Sequence, residues 1–336
     1  MRVARLMRAV SACAVALVLA AAARPAPLVA ALQAFVLTSS PDSFADLQAH
    51  VGAVAVVYPT YWECAVPGGS VLGAPAPALD AYAVSHAIAE LPRFTCQDGA
   101  TVHRILTDRV VRARTLARLL TLAAGSGYAG LNLDLENDGA RDRRSFSSFA
   151  AALAAGLHAE RRRLAVDVVG VQREDPRHAT YLYDDRALVA VADTVFVMAW
   201  GVHWERSAPG PDAPLSYVRA VARRLAALPH ARRFVIGVPL YGLDWPGRGG
   251  RAQPATALQY SGVAALASAV GAVPARDPGS GEMTFDYARR GVVHHVWFTD
   301  ARAVAQRIAI AHRYGLGAGV WRLGEEDQAL WGAPGV

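Results

Sequence analysis

From Leu131 to Glu136 apolar and polar residues alternate strictly, as Leu-Asn-Leu-Asp-Leu-Glu. Successive side chains of an extended chain point to opposite faces, so Leu131, Leu133 and Leu135 share one face of a strand and Asn132, Asp134 and Glu136 the other. Elsewhere short runs rich in Val, Ile and Leu alternate with longer stretches of helical period, the pattern of repeated β-α units. Strands are predicted at 34–38, 53–59, 87–94, 130–136, 164–169, 194–200, 234–241 and 317–323. The third is the weakest, because Glu90 and Pro92 interrupt its apolar character.

Helices are predicted at 107–124, ending at Gly125, at 141–162, with Phe146, Phe149, Leu153 and Leu157 on one stripe, and at 299–314, where Thr299 serves as cap ahead of Asp300. Eight strands separated mostly by helices fit an α/β fold of the closed (β/α)8 TIM-barrel type in one domain over 34–333, with a doubly wound open sheet as the competitor. The interval after the seventh strand is too long for one crossover. With Pro254, Pro274, Pro278 and a Gly279-Ser280-Gly281 turn, it reads as a small α+β insertion over 243–298, with a helix near 262–270.

The first 23 residues have the form of a signal peptide: Arg2, Arg5 and Arg8 lead into an Ala/Val/Leu run ending in small residues. The run is short for a membrane span. An exported protein, extracellular or periplasmic, follows, with an uncleaved anchor as the alternative. The formal charge of +6 falls to about +3 without those three arginines, so the balance gives no sign of a nucleic-acid partner, nor of a membrane partner beyond the export signal. All cationic side chains are Arg, and the Arg161, Arg162, Arg163 cluster reads as a solvated helix end. Two cysteines remain, Cys64 and Cys96, an even number in an oxidising compartment; they form a disulfide or stay as two thiols.

In a parallel barrel functional residues gather at the carboxyl ends of the strands, which is where Glu136 falls. Asp134 lies two residues deeper on the same face, about 6 to 7 Å back along the strand. An ionised Asp134 disfavours a second negative charge and keeps Glu136 protonated near neutrality, as a general acid suited to protonating a glycosidic oxygen. Asp134 is too deep to be the second carboxylate of ordinary glycoside cleavage, so the nucleophile would be the substrate's own 2-acetamido oxygen, with Asp134 orienting that group.

These residues resemble glycoside hydrolase family 18, the chitinase-like (β/α)8 enzymes, whose fourth strand ends in Asp-Gly-x-Asp-x-Asp-x-Glu and which use substrate-assisted catalysis. Here Ala129 and Asn132 replace the outer two aspartates, as in the branch of bacterial cell-wall glucosaminidases. Phe196-Val197-Met198-Ala199-Trp200-Gly201 is similar to the sixth-strand Met-x-Tyr-Asp motif, Gly237-Val238-Pro239-Leu240-Tyr241-Gly242 to the seventh-strand Gly-x-Pro-x-Tyr-Gly, and Gly319-Val320-Trp321-Arg322-Leu323-Gly324 to the eighth strand. Val296-Trp297-Phe298-Thr299-Asp300 resembles the segment before the last helix. The resemblance implies Glu136 and Asp134 as catalytic residues, Asn132 as support for Asp134, and Trp321 as the floor of the cleavage subsite. Tyr58, Met198, Trp200 and Tyr241 join them as substrate-binding candidates. The sixth-strand motif departs from the pattern: Trp200 and Gly201 stand for Tyr and Asp, so one stabilising donor is missing unless Tyr241 replaces it.

Of the aromatic residues at or beyond strand ends (Tyr58, Trp62, Trp200, Trp204, Tyr241, Trp245, Trp321), each is a candidate for sugar stacking or for core. Asp244 and Glu205 are loop acids that suit substrate contact or plain solvation. His203, His294 and His295 give no metal pattern, since adjacent residues of a strand face opposite sides. The reading is a monomer without cofactor or metal that cleaves an amino-sugar polysaccharide. A catalytically weak, lectin-like barrel is its rival.

Overall fold

The computed structural model describes residues 32–125, 127–136, 139–171 and 179–332. The predicted signal peptide at 1–23 lies outside them. Strands β1 (Leu32–Val36) and β2 (Val54–Pro59) flank α1 (Pro41–Ala49) and pair in parallel, Phe35 opposite Tyr58. A hairpin of β3 (Trp62–Cys64) and β4 (Val71–Gly73) follows, then α2 (Pro77–Ser85).

The strand predicted at 87–94 is two short ones, β5 (Ala89–Glu90) and β6 (Arg93–Cys96), because Pro92 cannot donate to a ladder and breaks the run. The halves divide the pairing: β5 joins β2, and β6 joins β3 and β7 (Gly130–Leu135). The Leu91 amide donates to the Val57 carbonyl at 3.0 Å, while the Glu90 and Pro92 carbonyls accept from Ala129 N and Asn132 N at 2.8 and 3.0 Å, so the segment bridges β2 and β7 across the break. The remaining staves are β8 (Arg163–Val169), β9 (Thr194–Met198), β10 (Phe234–Pro239) and β16 (Gly317–Trp321), with β16 back in parallel register on β1. The result is the (β/α)8 barrel.

A helix absent from the predicted set, α3 (Gly99–Thr107), precedes the one expected at 107–124, which is α4 (Arg109–Gly125). Asp98 caps α3 through Thr101 N at 2.8 Å, and Asp108 separates the two by accepting from Val110 N and Val111 N at 2.9 and 3.1 Å. Helices α5 (Arg143–Ala159), α6 (Asp185–Val191) and α7 (Leu215–Ala226) cover the following strands. The last helix, α9 (Ala301–Arg313), is capped by Asp300, whose carboxylate accepts from Ala303 N at 2.8 Å. The Thr299 hydroxyl, expected as the cap, instead donates to the Pro239 carbonyl at 3.0 Å.

The alternation in β7 sorts its residues as the pattern demands. Leu131, Leu133 and Leu135 are buried in the layer beneath the helices with Phe146, Phe149 and Leu153, each such side chain contributing about 1.5–3 kcal/mol. Asn132 and Asp134 face inward. The barrel axis is filled by Phe35, Tyr58, Phe196 and Val235. Glycines make room for Phe196: a Cβ at Gly237 or Gly319 would come within 2.4 or 2.5 Å of its ring.

Between β10 and α9 the chain builds an antiparallel sheet in the order β12 (Thr256–Leu258), β11 (Gly242–Pro246), β15 (Val292–Phe298), β14 (Met283–Arg289), β13 (Ala275–Arg276). Helix α8 (Tyr260–Val270) packs on one face through Val263 and Ala267 against Phe285, Val296 and Phe298. Beyond β16 the chain returns along α1, and Glu326 accepts from Gly324 N, Gln328 Nε2 and Trp331 Nε1 at 2.9, 3.0 and 3.0 Å. Gln328 also reaches Asp46 at 3.0 Å, and His50 stacks on Trp331.

Candidate active site

Glu136 follows the last residue of β7, at the carboxyl rim of the barrel. Its amide donates to the Cys96 carbonyl at 2.9 Å, and the Tyr183 hydroxyl holds the adjacent Leu135 carbonyl at 2.9 Å, so the strand end is fixed from both sides. The half-buried side chain accepts a hydrogen bond from Gln97 Nε2 at 2.9 Å. Its carboxyl is pushed up to about 7, first by burial and second by the charge of Asp134; Gln97 and Arg93 pull it back. Desolvation, and not the negative neighbour expected from the sequence, is the larger cause.

Asp134 is attenuated by a partner the sequence reading missed. Arg93, only 6% exposed, points Nε and Nη2 at Asp134 Oδ2, at 2.7 and 2.5 Å, and Thr95 Oγ1 donates to the same oxygen at 3.0 Å. The other oxygen, Oδ1, is buried with no hydrogen-bond partner among the described residues. The Arg93 guanidinium also lies over the Trp321 ring, 5.0 Å from its centroid, and so joins the acid strand to the aromatic floor.

Asn132 does not support Asp134. Its amide donates to Asp167 Oδ1 on β8 at 2.6 Å, and it is Asp167, another residue overlooked in the sequence, whose carboxyl is pushed well up by burial and by Asp134. Tyr58 is also corrected as a sugar contact. It is fully buried in the barrel axis, 4.9 Å from Phe35, and its hydroxyl donates to Gln33.

Met198, Trp200, Tyr241 and Trp321 are half-buried at the ends of β9, β10 and β16. Trp321 packs on Phe35 at 5.0 Å, and Trp200 meets Phe196 edge-on at 6.3 Å. Gly201 has φ +84 and open space where a Cβ would stand. Its amide donates to Asp212 Oδ1 at 2.7 Å, which brings an unforeseen acid between β9 and Tyr241. Glu205 lies close enough to raise both Asp212 and Tyr241. Burial pushes the Asp212 carboxyl up to about 7, with Glu282 adding to it, while the Tyr241 hydroxyl and the Gly201 amide lower it.

The other aromatic candidates separate. Trp62 and Trp245 are core, at 3% and 0% exposure, while Trp204 is 44% exposed. Asp244 sits in the insertion, held by Tyr287 at 2.6 Å and His294 at 2.9 Å. His295 pairs with Asp286 and His203 with the Ala208 carbonyl. Asp46, His50 and Glu326 bring ligand-type atoms within 4.8 Å of one another, but N–H donors already occupy both oxygens of Glu326, which makes the group a clasp of the C-terminal segment. Cys64 and Cys96 are joined by a disulfide that ties β3 to β6 just before Gln97.

The barrel rim thus carries a carboxyl raised to about 7 above an ion-paired aspartate, a proton donor of the kind glycoside cleavage uses. The family model for glycosyl hydrolases family 18 matches residues 100–326, and the chain belongs to that family. It is 27% identical to the uncharacterized glycosylase YvbX of Bacillus subtilis over 239 residues, 70% of this chain and 69% of the relative. The putative sporulation-specific glycosylase YdhD of the same species is 30% identical over 226 residues, 66% of this chain but only 53% of YdhD. The crystal structure of a chitinase from Chromobacterium violaceum superposes with a TM-score of 0.81 at 29% identity, covering 90% of this chain and 97% of that one.

Proposed function

We propose that the protein hydrolyses β-linked N-acetylglucosamine polymers, of chitin-like, peptidoglycan or poly-N-acetylglucosamine type, by substrate-assisted retaining catalysis. The observation that carries this is the pairing of a rim carboxyl raised to about 7, Glu136, with a buried aspartate whose Oδ1 has no partner among the described residues. Glu136 gives its proton to the glycosidic oxygen as the C1–O bond breaks, and the acetamido carbonyl oxygen of the same sugar bonds to C1. Asp134 Oδ1 accepts the acetamido N–H, which orients that group and balances the positive ring that forms. Water then bonds to C1 and gives a proton to the Glu136 carboxylate as the bond from C1 to the acetamido oxygen breaks, and the sugar leaves with its original anomeric configuration.

Arg93, paired with Asp134 at 2.5 Å, compensates the charge of that carboxylate in this scheme. Trp321, carried on Arg93 and Phe35, forms the floor beneath the sugar. Tyr241 supplies the hydroxyl that Trp200 lacks. The signal-peptide form of residues 1–23 supports action outside the cytoplasm, at the cell envelope where such polymers lie, and the enzyme acts there as a monomer.

The test is digestion of N-acetylglucosamine oligomers and of their deacetylated counterparts, with product anomers read by NMR. The proposal predicts cleavage of the acetylated chain alone and β-configured new ends. Cleavage of both chains at equal rate contradicts the acetamido nucleophile, and binding without product shows a lectin.

A further inference from the structure

We infer that Asp212 is a positioning residue of the active site, which fixes Tyr241 and the Gly201 turn at the substrate-facing rim; this rests on the reading of Tyr241 as a substrate contact. Asp212 belongs to no barrel strand, yet its carboxyl bridges the ends of two. Oδ1 accepts from Gly201 N just past β9, and the Tyr241 hydroxyl just past β10 faces the same carboxyl. The residue is 7% exposed, and its Oδ2 is buried with no hydrogen bond of regular geometry from the described residues. A buried carboxyl with one oxygen spare is costly, and a surface loop has no structural need of one.

The loop that carries it is held by groups from elsewhere in the fold. Glu282, ahead of β14, accepts from Asp212 N at 3.0 Å and from Ala213 N at 2.8 Å. Arg307 of α9, completely buried, pairs with Glu282 at 3.0 Å and donates from Nε to the Ala213 carbonyl at 2.9 Å. The Val202 amide returns to the Asp212 carbonyl at 2.9 Å. Glu282, Arg307 and Val202 thus all hold the loop, and what it presents is one carboxyl beside Tyr241.

Gly201 shows why the carboxyl has room to act there. A Cβ at this position would meet nothing within 4 Å, so the backbone beside Asp212 borders open space and not packed core. The groups that bear on the Asp212 charge are Glu282 and Glu205, which oppose it, Arg307, which is drawn to it, and the hydroxyl-bearing Tyr241 and Tyr217. A carboxyl so surrounded takes a proton readily. Protonated, it donates to the Tyr241 oxygen and leaves the phenolic O–H free for a sugar acceptor; ionised, it captures that O–H.

The test is a double-mutant cycle on the full chain with an N-acetylglucosamine tetramer. Asp212→Leu is expected to lower kcat about tenfold, and less than about twofold when Tyr241 is already Phe. Asp212→Asn, which keeps a neutral donor, is expected to retain most of the rate and to hold it to higher pH than the parent does. Equal losses from Asp212→Leu in both backgrounds, or no loss in either, overturn the inference. If Asp212→Leu does not fold, the Asp212→Asn pH profile decides, and an unchanged profile overturns it. If the wild-type protein releases no product, the functional reading has failed, and the same cycle read as tetramer affinity by calorimetry tests the coupling separately; absence of coupling there overturns the inference too.

Discussion

Arg93 changes the electrostatic account of the site more than any other residue. It compensates a buried Asp134 and tempers the field on Glu136. Arg93→Met leaves that aspartate uncompensated, and a loss of about 3–5 kcal/mol in denaturant unfolding is expected. The same change raises the Glu136 carboxyl further, so the alkaline limb of kcat/KM, expected near pH 7 in the parent, moves upward. A limb that stays put would separate Arg93 from Glu136. Asp134 and Glu136 were legible from strict alternation alone. Arg93 was not, because an arginine in an interrupted strand reads as solvated, and Asp167 was hidden in the run Val166-Asp167-Val168 for the same reason. Tyr58 erred in the opposite sense: its place at a strand end was right, but Gln33 gives its hydroxyl a partner inside the barrel.

At the scale of elements, Pro92, already visible as an interruption of the third apolar run, divides that barrel strand, whereas α3 escaped the pattern because it ends one residue before Asp108, at the start of the helix expected at 107–124. Pairing is also non-local: the disulfide between β3 and β6 spans a separation of 32 residues. Replacing both cysteines by Ser is expected to lower stability by about 3–4 kcal/mol on the loop-entropy estimate, checked by chemical denaturation under non-reducing conditions. The C-terminal clasp carries its own prediction. Burial, helped by Asp46, pushes the Glu326 carboxyl up to about 8, so the clasp holds a proton that is lost as pH rises through that value. Glu326→Gln is expected to reduce the fall in Tm between pH 6 and pH 9; an undiminished fall would remove Glu326 as its cause.

For the whole molecule, the count of eight strands and the position of the insertion followed from spacing, since a β-α repeat and an overlong crossover are both visible in one dimension. What spacing could not give is which side chains meet across the barrel. Four acids have native values raised to about 7 or 8, namely Glu90, Glu136, Asp212 and Glu326. A carboxyl whose folded value is raised binds protons more tightly in the native state, so its contribution is full below its unfolded value and lost as pH climbs through the folded one. Asp98, Asp108 and Asp277 are lowered and act in the reverse sense, losing their contribution as pH falls. Stability is therefore expected to peak near about pH 5, with Tm lower at pH 8.5 than at pH 5.5. The central claim is the proton on Glu136, and Glu136→Gln assayed on an N-acetylglucosamine tetramer tests it most directly. The account predicts a loss of about 10²–10⁴-fold in kcat with the tetramer still bound. A variant that turns over at the parent rate would contradict it.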